Sequence, residues 1–413
     1  MFTEQRILGW TVLLAFSVRG VFTMVFGREF AMMGDAWSYD LIAQNILNFG
    51  VYSKDPNLLT PTALRTPIYP MFLAGSYAIF GRSFLVVQIL QCVLSAATVW
   101  MLFEIAKRSY GRNVAYIALV ISSVYPSFAF YASRLITETL FVFFLVLCSL
   151  CFIVCRKNGS FFWWMGFCLS FSLGMILRPV LIFLVPFLVF DVVRLHRNNL
   201  KKYATLLGTL VLVFFMLDAP WIIRNYQRFG AVVPFTTSGG YAFYGGNNPE
   251  NQRNVLARGA WVDSNTIVPD LQELYKKNEV ERERIFYTRG LNFLQQNISF
   301  IPAHLYYKFM NFWSFNAETR MKTIALVCSY GVLLPFFLFG LGLGIRRTLK
   351  TMDESFVFLS MIVAFNLAAL VFYGSIRFRF PIEPFIILFS ALGIEHLRQF
   401  FIHLRRSKAE IGS

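Results

Sequence analysis

An all-α bundle that crosses a membrane about ten times, within bounds of nine and twelve, is the fold class the sequence predicts. Three observations predict it. Of the 413 residues, 57% are apolar and only 15% are charged, where about 25% charged is ordinary for a soluble domain. Apolar stretches of about 17–22 residues recur along the chain, the length that spans about 30 Å of hydrocarbon. The short loops between them alternate in Lys and Arg content, the pattern that orients a multi-pass protein.

The candidate spans are 7–26, 84–103, 113–131, 135–154, 161–177, 180–195, 203–219, 322–345, 355–373 and 381–400. Arg6 precedes the first apolar run as in a signal peptide, but no small-x-small cleavage pattern follows, so the run reads as a retained span. Basic loops fall at Lys107-Arg108 to Arg112, Arg156-Lys157, Arg194 to Lys202, Arg346 to Lys350 and the tail Arg405 to Lys408. Every second loop is basic, which predicts an integral cytoplasmic (inner) membrane protein with both termini in the cytoplasm. The opposite side then carries two long segments, 27–83 and 220–321. Within the first, Trp37, Leu41, Ile42, Ile46 and Phe49 share one helical face, and Ser38, Asp40, Gln44, Asn45 and Asn48 the other. That is an amphipathic juxtamembrane helix able to lie at a bilayer surface. The apolar piece from Pro67 to Phe80 is short for a span, and counting it as one would move Lys107-Arg108 outside; it reads as a re-entrant or interfacial helix. The second segment combines a Gly/Asn-rich turn region, residues 239–249, with a charged helical stretch, residues 269–296. Gly340-x-Gly342-x-Gly344 lies inside a span and follows no strand, so it predicts close helix packing rather than a nucleotide loop. The division is thus a membrane module 1–219 containing the first outer loop 27–83, a large outer loop 220–321 forming a small domain, and C-terminal helices with a cytoplasmic tail, 322–413.

The net charge of +16, from 38 Lys and Arg against 22 Asp and Glu, suggests nucleic acid in a soluble protein. No basic run interleaved with aromatics supports that here, and no nucleic-acid partner is expected. Cys148, Cys151 and Cys155 share a helical face, but no His or carboxylate accompanies them. They read as packing residues, and neither metal nor cofactor is predicted.

Ionisable groups near hydrocarbon cost about 2.5–3.5 kcal/mol each on insertion scales. In this topology they gather at the outer ends of spans: Arg19, Asp35, Arg65, Arg134, Glu138, Arg178, Asp218, Arg224, Arg377, Arg379 and Glu383. Outer arginines run against the orientation rule and suggest an outward polar cavity that receives an anion. The planar guanidinium matches phosphate, and a phosphate carried on a membrane lipid explains a site at the bilayer surface. A carboxylate beside a phosphate leaving group can act as a general base. Each residue also has a plainer reading. Asp35 can simply cap the helix that follows it. Glu138 can pair with Arg134 one turn earlier. Arg178 can snorkel from a span end, and Asn247 and Asn248 are ordinary turn residues.

Several short motifs then occur in order. They are Gly34-Asp35-Ala36-Trp37-Ser38-Tyr39 with Ala43 to Leu47, Arg65-Thr66-Pro67-Ile68-Tyr69-Pro70 with Phe80-Gly81, and Tyr125-Pro126 with Thr137-Glu138. Arg178-Pro179, Pro220-Trp221-x-x-Arg224-Asn225-Tyr226, Gly246-Asn247-Asn248-Pro249 and Arg377-Phe378-Arg379-Phe380-Pro381-Ile382-Glu383-Pro384 follow. Together they resemble the GT-C superfamily of glycosyltransferases, nearest to its bacterial branch of protein mannosyltransferase-like and aminoarabinose transferase-like (family 39-like) membrane enzymes. The resemblance implies the GT-C fold and a polyprenyl-phosphate-linked sugar donor used outside the cytoplasmic membrane. It implies transfer with inversion to an envelope acceptor, which is a glycan, a lipid or a protein. It places Asp35 as the catalytic carboxylate and Glu138 as the second acid. That family often has another acid directly after the first; Ala36 stands there. Arg65, Arg178, Arg224, Arg377 and Arg379 are the expected phosphate ligands. Tyr39, Asp40, Tyr69, Asn247, Asn248 and Glu383 are the expected substrate contacts, and the isoprenoid tail is expected along the short helix 67–80. A transporter or flippase of lipid-linked sugars is the competing reading. It calls for charges at mid-membrane depth and repeated halves, which the sequence does not display.

Overall fold

The computed structural model describes residues 2–315 and 320–411. The chain is all-α, and among these residues the one non-helical pairing is an isolated bridge between Ser53 and Pro61. In chain order, α1 (Phe2–Phe30), α2 (Ala36–Phe49), α3 (Ile68–Phe80), α4 (Phe84–Tyr110), α5 (Arg112–Val124), α6 (Pro126–Ala132), α7 (Glu138–Asn158), α8 (Phe161–Leu177), α9 (Val185–Leu195) and α10 (Leu200–Phe229) form the first part. Among the described residues six helices are long and apolar enough to cross a membrane, including α1, α4, α7 and α10; the others are Thr323–Thr351 and Ile376–Ser407. The chain is a multi-pass membrane protein. Helices α5 and α6 meet the same criterion only as a pair, bent by 48° where Pro126 interrupts the backbone ladder. The crossings expected at 161–177 and 355–373 are helices of 17 residues each, about 25 Å long. The one expected at 180–195 is broken into a 3-10 turn, Pro179–Leu184, and α9. The expected count of about ten includes these shorter and broken helices. Helix α3, with 13 residues, reaches only about 20 Å, in keeping with a re-entrant or interfacial element.

Small residues set the packing of the last two long helices. A Cβ on Gly340 would collide with the Phe389 carbonyl, and one on Gly344 with the Phe389 ring, whereas Gly342 faces open space. The i,i+4 pair thus lets two backbones approach. Gly340→Ala should lower stability by about 1–3 kcal/mol through overpacking, and Gly342→Ala should be close to neutral. Thermal unfolding in detergent distinguishes the two. The packing role expected for the cysteines fits their placement: Cys148 and Cys151 are buried on α7, and Cys151 lies against Gly166 of α8. Arg19, fully buried in α1, spends its donors on Ser95 Oγ (2.7 Å) and the carbonyls of Ala15, Ser122 and Ser123 (2.7–2.9 Å). It pins α1 to α4 and the end of α5.

The two ends of the bundle differ. At one, the basic loops are matched by carboxylates: Lys107 with Glu4, Arg156 with Asp191 (3.5 Å), Lys157 with Glu354 (3.3 Å) and Arg347 with Asp353 (2.7 Å). The other end gathers the long loops. There Glu279, at the start of the helix Glu279–Gln296, accepts hydrogen bonds from Thr62 Oγ1 (2.6 Å), the Ala63 N–H (2.8 Å) and Thr237 Oγ1 (2.9 Å). One carboxylate therefore clasps the first loop to the second. Helix α2 buries both kinds of side chain: Ser38, Asp40, Asn45 and Ile42 are buried, while Trp37 and Phe49 are 53% and 57% exposed.

Candidate active site

Gly34 turns the chain between α1 and α2 in the left-handed region, φ 68°, a conformation free of penalty only without a Cβ. A side chain there would also crowd the Arg134 guanidinium, which donates to the Met33 carbonyl (3.1 Å). The turn delivers Asp35 to the first position before α2. Its carboxylate makes no capping hydrogen bond; it faces two arginines instead. Oδ1 lies 2.7 Å from Arg65 Nη2, and Oδ2 lies 2.8 Å from Arg377 Nη1. The capping reading does not account for this side chain.

Glu138 opens α7 and is completely buried. Its Oε1 pairs with Arg377 Nε and stands 3.4 Å from Arg178 Nη1, and Oε2 accepts from Thr137 Oγ1 (3.3 Å). Arg134, the partner suggested by helical spacing, turns away toward Phe130 and Met33. Arg178 ends α8, where Pro179 stops the helix, and lies between the Phe141 and Phe378 rings at 5.5 and 6.0 Å. Its Nη1 is buried with no hydrogen-bond partner. Arg65 donates to Ser38 Oγ (3.1 Å) and stacks over the Tyr39 ring at 5.3 Å. Tyr69 packs edge-on against Tyr39 and donates to Gln91 Oε1 (3.0 Å); it buttresses the cluster without joining it.

Three guanidinium groups thus surround two carboxylates, and one positive charge is left over. Burial pushes the Asp35 carboxyl up, but the charges of Arg65 and Arg377 outweigh it and hold that carboxyl well below the usual carboxylate range. Asp35 remains 29% exposed, so the cluster opens to the loop end. Among the described residues no three His, Cys, Asp or Glu side chains converge as metal ligands.

The other expected site residues lie elsewhere. Arg379 and Glu383 have almost no accessible surface and face one another at 3.6 Å, one helical turn apart. Arg379 also donates to the Ser314 carbonyl (2.8 Å) and stacks on Tyr330. Enclosed in this way, neither meets a substrate in this conformation. Arg224 donates to the carbonyls of Thr62 (2.8 Å) and Tyr52 (3.0 Å), fastening the first loop. Asp40 is saturated by Tyr77 (2.8 Å), Arg82 (2.8 Å) and Gln44 (2.9 Å). Asn248 caps the helix Pro249–Arg253. Asn247 donates to the Phe243 and Val371 carbonyls and accepts from the buried Lys308 Nζ (2.7 Å). Both asparagines hold the turn, as their plainer reading has it. Sequence reading gave no site role to Ser38, Glu279 or Lys308. Glu279 differs in no sequence feature from Glu281 and Glu283 on the same helix.

Over residues 64–222, less than half of the chain, the sequence matches the family model described as dolichyl-phosphate-mannose-protein mannosyltransferase. No curated protein matches the chain. The archaeal oligosaccharyltransferase AglB from Archaeoglobus fulgidus, solved with an inhibitory peptide and a dolichol-phosphate, superposes with a TM-score of 0.58 at 15% identity. The match covers 100% of this chain and 53% of that one. This is a GT-C-fold protein. It spans about half the length of AglB, whose apo form gives a TM-score of 0.53 at 15% identity, covering 97% and 52%. ArnT from Cupriavidus metallidurans, solved with undecaprenyl phosphate, is similar at a TM-score of 0.45 and 12% identity over 94% of this chain and 78% of its own. Within the GT-C fold of this chain, Arg65, Glu138 and Arg178 fall inside the family-matched stretch, and Asp35 and Arg377 outside it.

Proposed function

We propose that this chain is a membrane glycosyltransferase that passes a sugar, with inversion, from a polyprenyl-phosphate donor to an acceptor outside the cytoplasmic membrane. One observation carries the reading: three arginines converge on two carboxylates at the loop end, with one positive charge in surplus and Arg178 Nη1 meeting Glu138 only as a 3.4 Å ion pair without a hydrogen bond. A donor phosphate supplies the missing anion. It competes with Asp35 for Arg65 and Arg377, since guanidinium binds phosphate as readily as carboxylate. Asp35, released from both, becomes basic enough to accept the hydroxyl proton of the acceptor. The acceptor oxygen bonds to the anomeric carbon from the face opposite the phosphate. The bond from that carbon to the phosphate oxygen breaks, its electron pair stays on the phosphate, and the arginines stabilise that charge. Glu138 holds Arg377 and Arg178 in place throughout. The isoprenoid tail lies along α3, whose exposed Met71, Ile79 and Phe80 offer an apolar edge. A transporter of lipid-linked sugars would place its charges along a central path; the unpaired positive charge here is confined to one end.

Native mass spectrometry of the purified protein with undecaprenyl phosphate tests the reading. The wild-type protein should retain the lipid, and Arg178→Met should weaken retention by about tenfold, roughly 1.4 kcal/mol. Equal retention by both removes the phosphate from this site.

A further inference from the structure

Beyond the charged cluster, a chain of aromatic rings leads outward across the second loop. Phe378, next to Arg377, contacts Tyr373 at 4.6 Å between ring centroids. Tyr373 neighbours Trp261 at 6.4 Å, and Trp261 neighbours Tyr241 at 5.9 Å. Trp261 is 39% exposed, an unusual state for an indole in a well-packed loop. Its pyrrole edge is seated where a Cβ of Gly245 would stand, and the Val262 N–H donates to the Gly245 carbonyl (2.8 Å). The ring is therefore held in a fixed pose with part of its surface open, not loosely displayed.

Polar groups flank the outer end of this chain. Asp263 Oδ1 accepts from the Tyr241 hydroxyl and from the Asn265 N–H (2.9 Å), and Asn265 Nδ2 donates to the same hydroxyl (3.2 Å). Asp263 Oδ2 has no protein partner among the described residues. An aromatic face beside a fixed carboxylate with a free oxygen suits one chemistry. The C–H face of a sugar ring packs on the aromatic ring while its hydroxyls, projecting at the rim, meet the carboxylate and amide. An anionic lipid surface would be repelled by Asp263, and an acyl chain would strip water from Asp263 and Asn265 without replacing it.

We infer that Trp261, Tyr241 and Asp263 form an acceptor subsite for an oligosaccharide, resting on the reading of the charged cluster as the donor site. A succession of rings longer than one pyranose suits a preassembled glycan whose terminal hydroxyl reaches Asp35. Trp261 and Asp263 lie outside the reacting groups, so they set acceptor specificity and leave donor binding alone.

The test uses the full-length protein in nanodiscs against an array of oligosaccharides of two to six residues, matched short peptides and phosphatidylglycerol vesicles, with undecaprenyl phosphate retention measured in parallel. Wild-type protein should bind a subset of the oligosaccharides. Trp261→Ala should weaken that binding by about tenfold or more, Trp261→Phe and Asp263→Asn by less, with undecaprenyl phosphate retention unchanged in all three. Saccharide binding indifferent to both Trp261→Ala and Asp263→Asn overturns the subsite, as does wild-type binding to peptides or vesicles and to no saccharide. Trp261-dependent saccharide binding in a protein that retains no undecaprenyl phosphate supports the subsite and removes the donor reading instead.

Discussion

Asp35→Asn should lower sugar transfer by roughly 10²–10⁴-fold, the range supplied by a positioned general base, while the protein still folds and inserts. The amide keeps the size of the side chain, but only its oxygen can accept, so it holds one of Arg65 and Arg377 where the carboxylate holds both, and it cannot take a proton. The same residue gives a pH signature. In the free protein the two guanidinium groups hold its carboxyl well below the usual range, so the carboxylate persists as pH falls through the region where an ordinary Asp is protonated, near 3.9. Once a donor phosphate draws those arginines away, the carboxyl rises toward that region or above it. The acid limb of kcat, which reports the complex, should therefore lie at higher pH than that of kcat/KM for the donor, which reports the free protein. Steady-state kinetics across the acid range checks this. Coincident limbs would show that the arginines never leave Asp35.

Arg377→Met should be costly in two ways. Arg377 alone bridges both carboxylates, Asp35 through Nη1 and Glu138 through Nε. Its loss leaves Glu138, with no accessible surface, facing only Arg178 at 3.4 Å and Thr137. Removing one member of a buried pair costs about 3–5 kcal/mol. The lower end applies here, because Arg377 is itself 35% exposed and Arg178 remains. Transfer should fall by at least roughly 10²-fold, as when a preorganised charge on the transition state is removed. Arg377→Lys separates the two effects. It restores the charge and much of the stability, but a single ammonium cannot face both carboxylates as the guanidinium fork does, so activity should stay low. Thermal unfolding in detergent and transfer assays on the two variants read the effects independently.

Much of this was legible in the sequence, for identifiable reasons. The membrane class follows from apolar runs, and the arginines stand out because they oppose the orientation rule. Asp35, Glu138, Arg65, Arg178 and Arg377 were all named from motif and position, and the fold brings them together from the turn before α2, the loop before α3, the two ends of α7 and α8, and the start of the last long helix. Which acid meets which arginine was not legible, because each contact joins separate elements and the two made by Arg377 span hundreds of positions. Arg379 and Glu383 share the motif of Arg377, yet their four-residue spacing sets them facing each other as a buried ion pair at 3.6 Å. Asp40 was read on the polar face of a surface helix; its own side chain is buried, and Tyr77 and Arg82 consume it. Pro179 and Pro126 interrupt apolar runs at breaks that a run of hydropathy does not locate.

The central claim is that this protein consumes a polyprenyl-phosphate sugar through Asp35. Deleting its gene and profiling the cell lipids and envelope glycans by mass spectrometry tests that most directly, with complementation by the wild-type and Asp35→Asn genes. The account predicts that one polyprenyl-phosphate sugar accumulates and one envelope glycan loses that sugar. Wild type should restore both, and the equally expressed Asp35→Asn protein neither. Unchanged lipid-linked sugars in the deletion, or full restoration by Asp35→Asn, would contradict it.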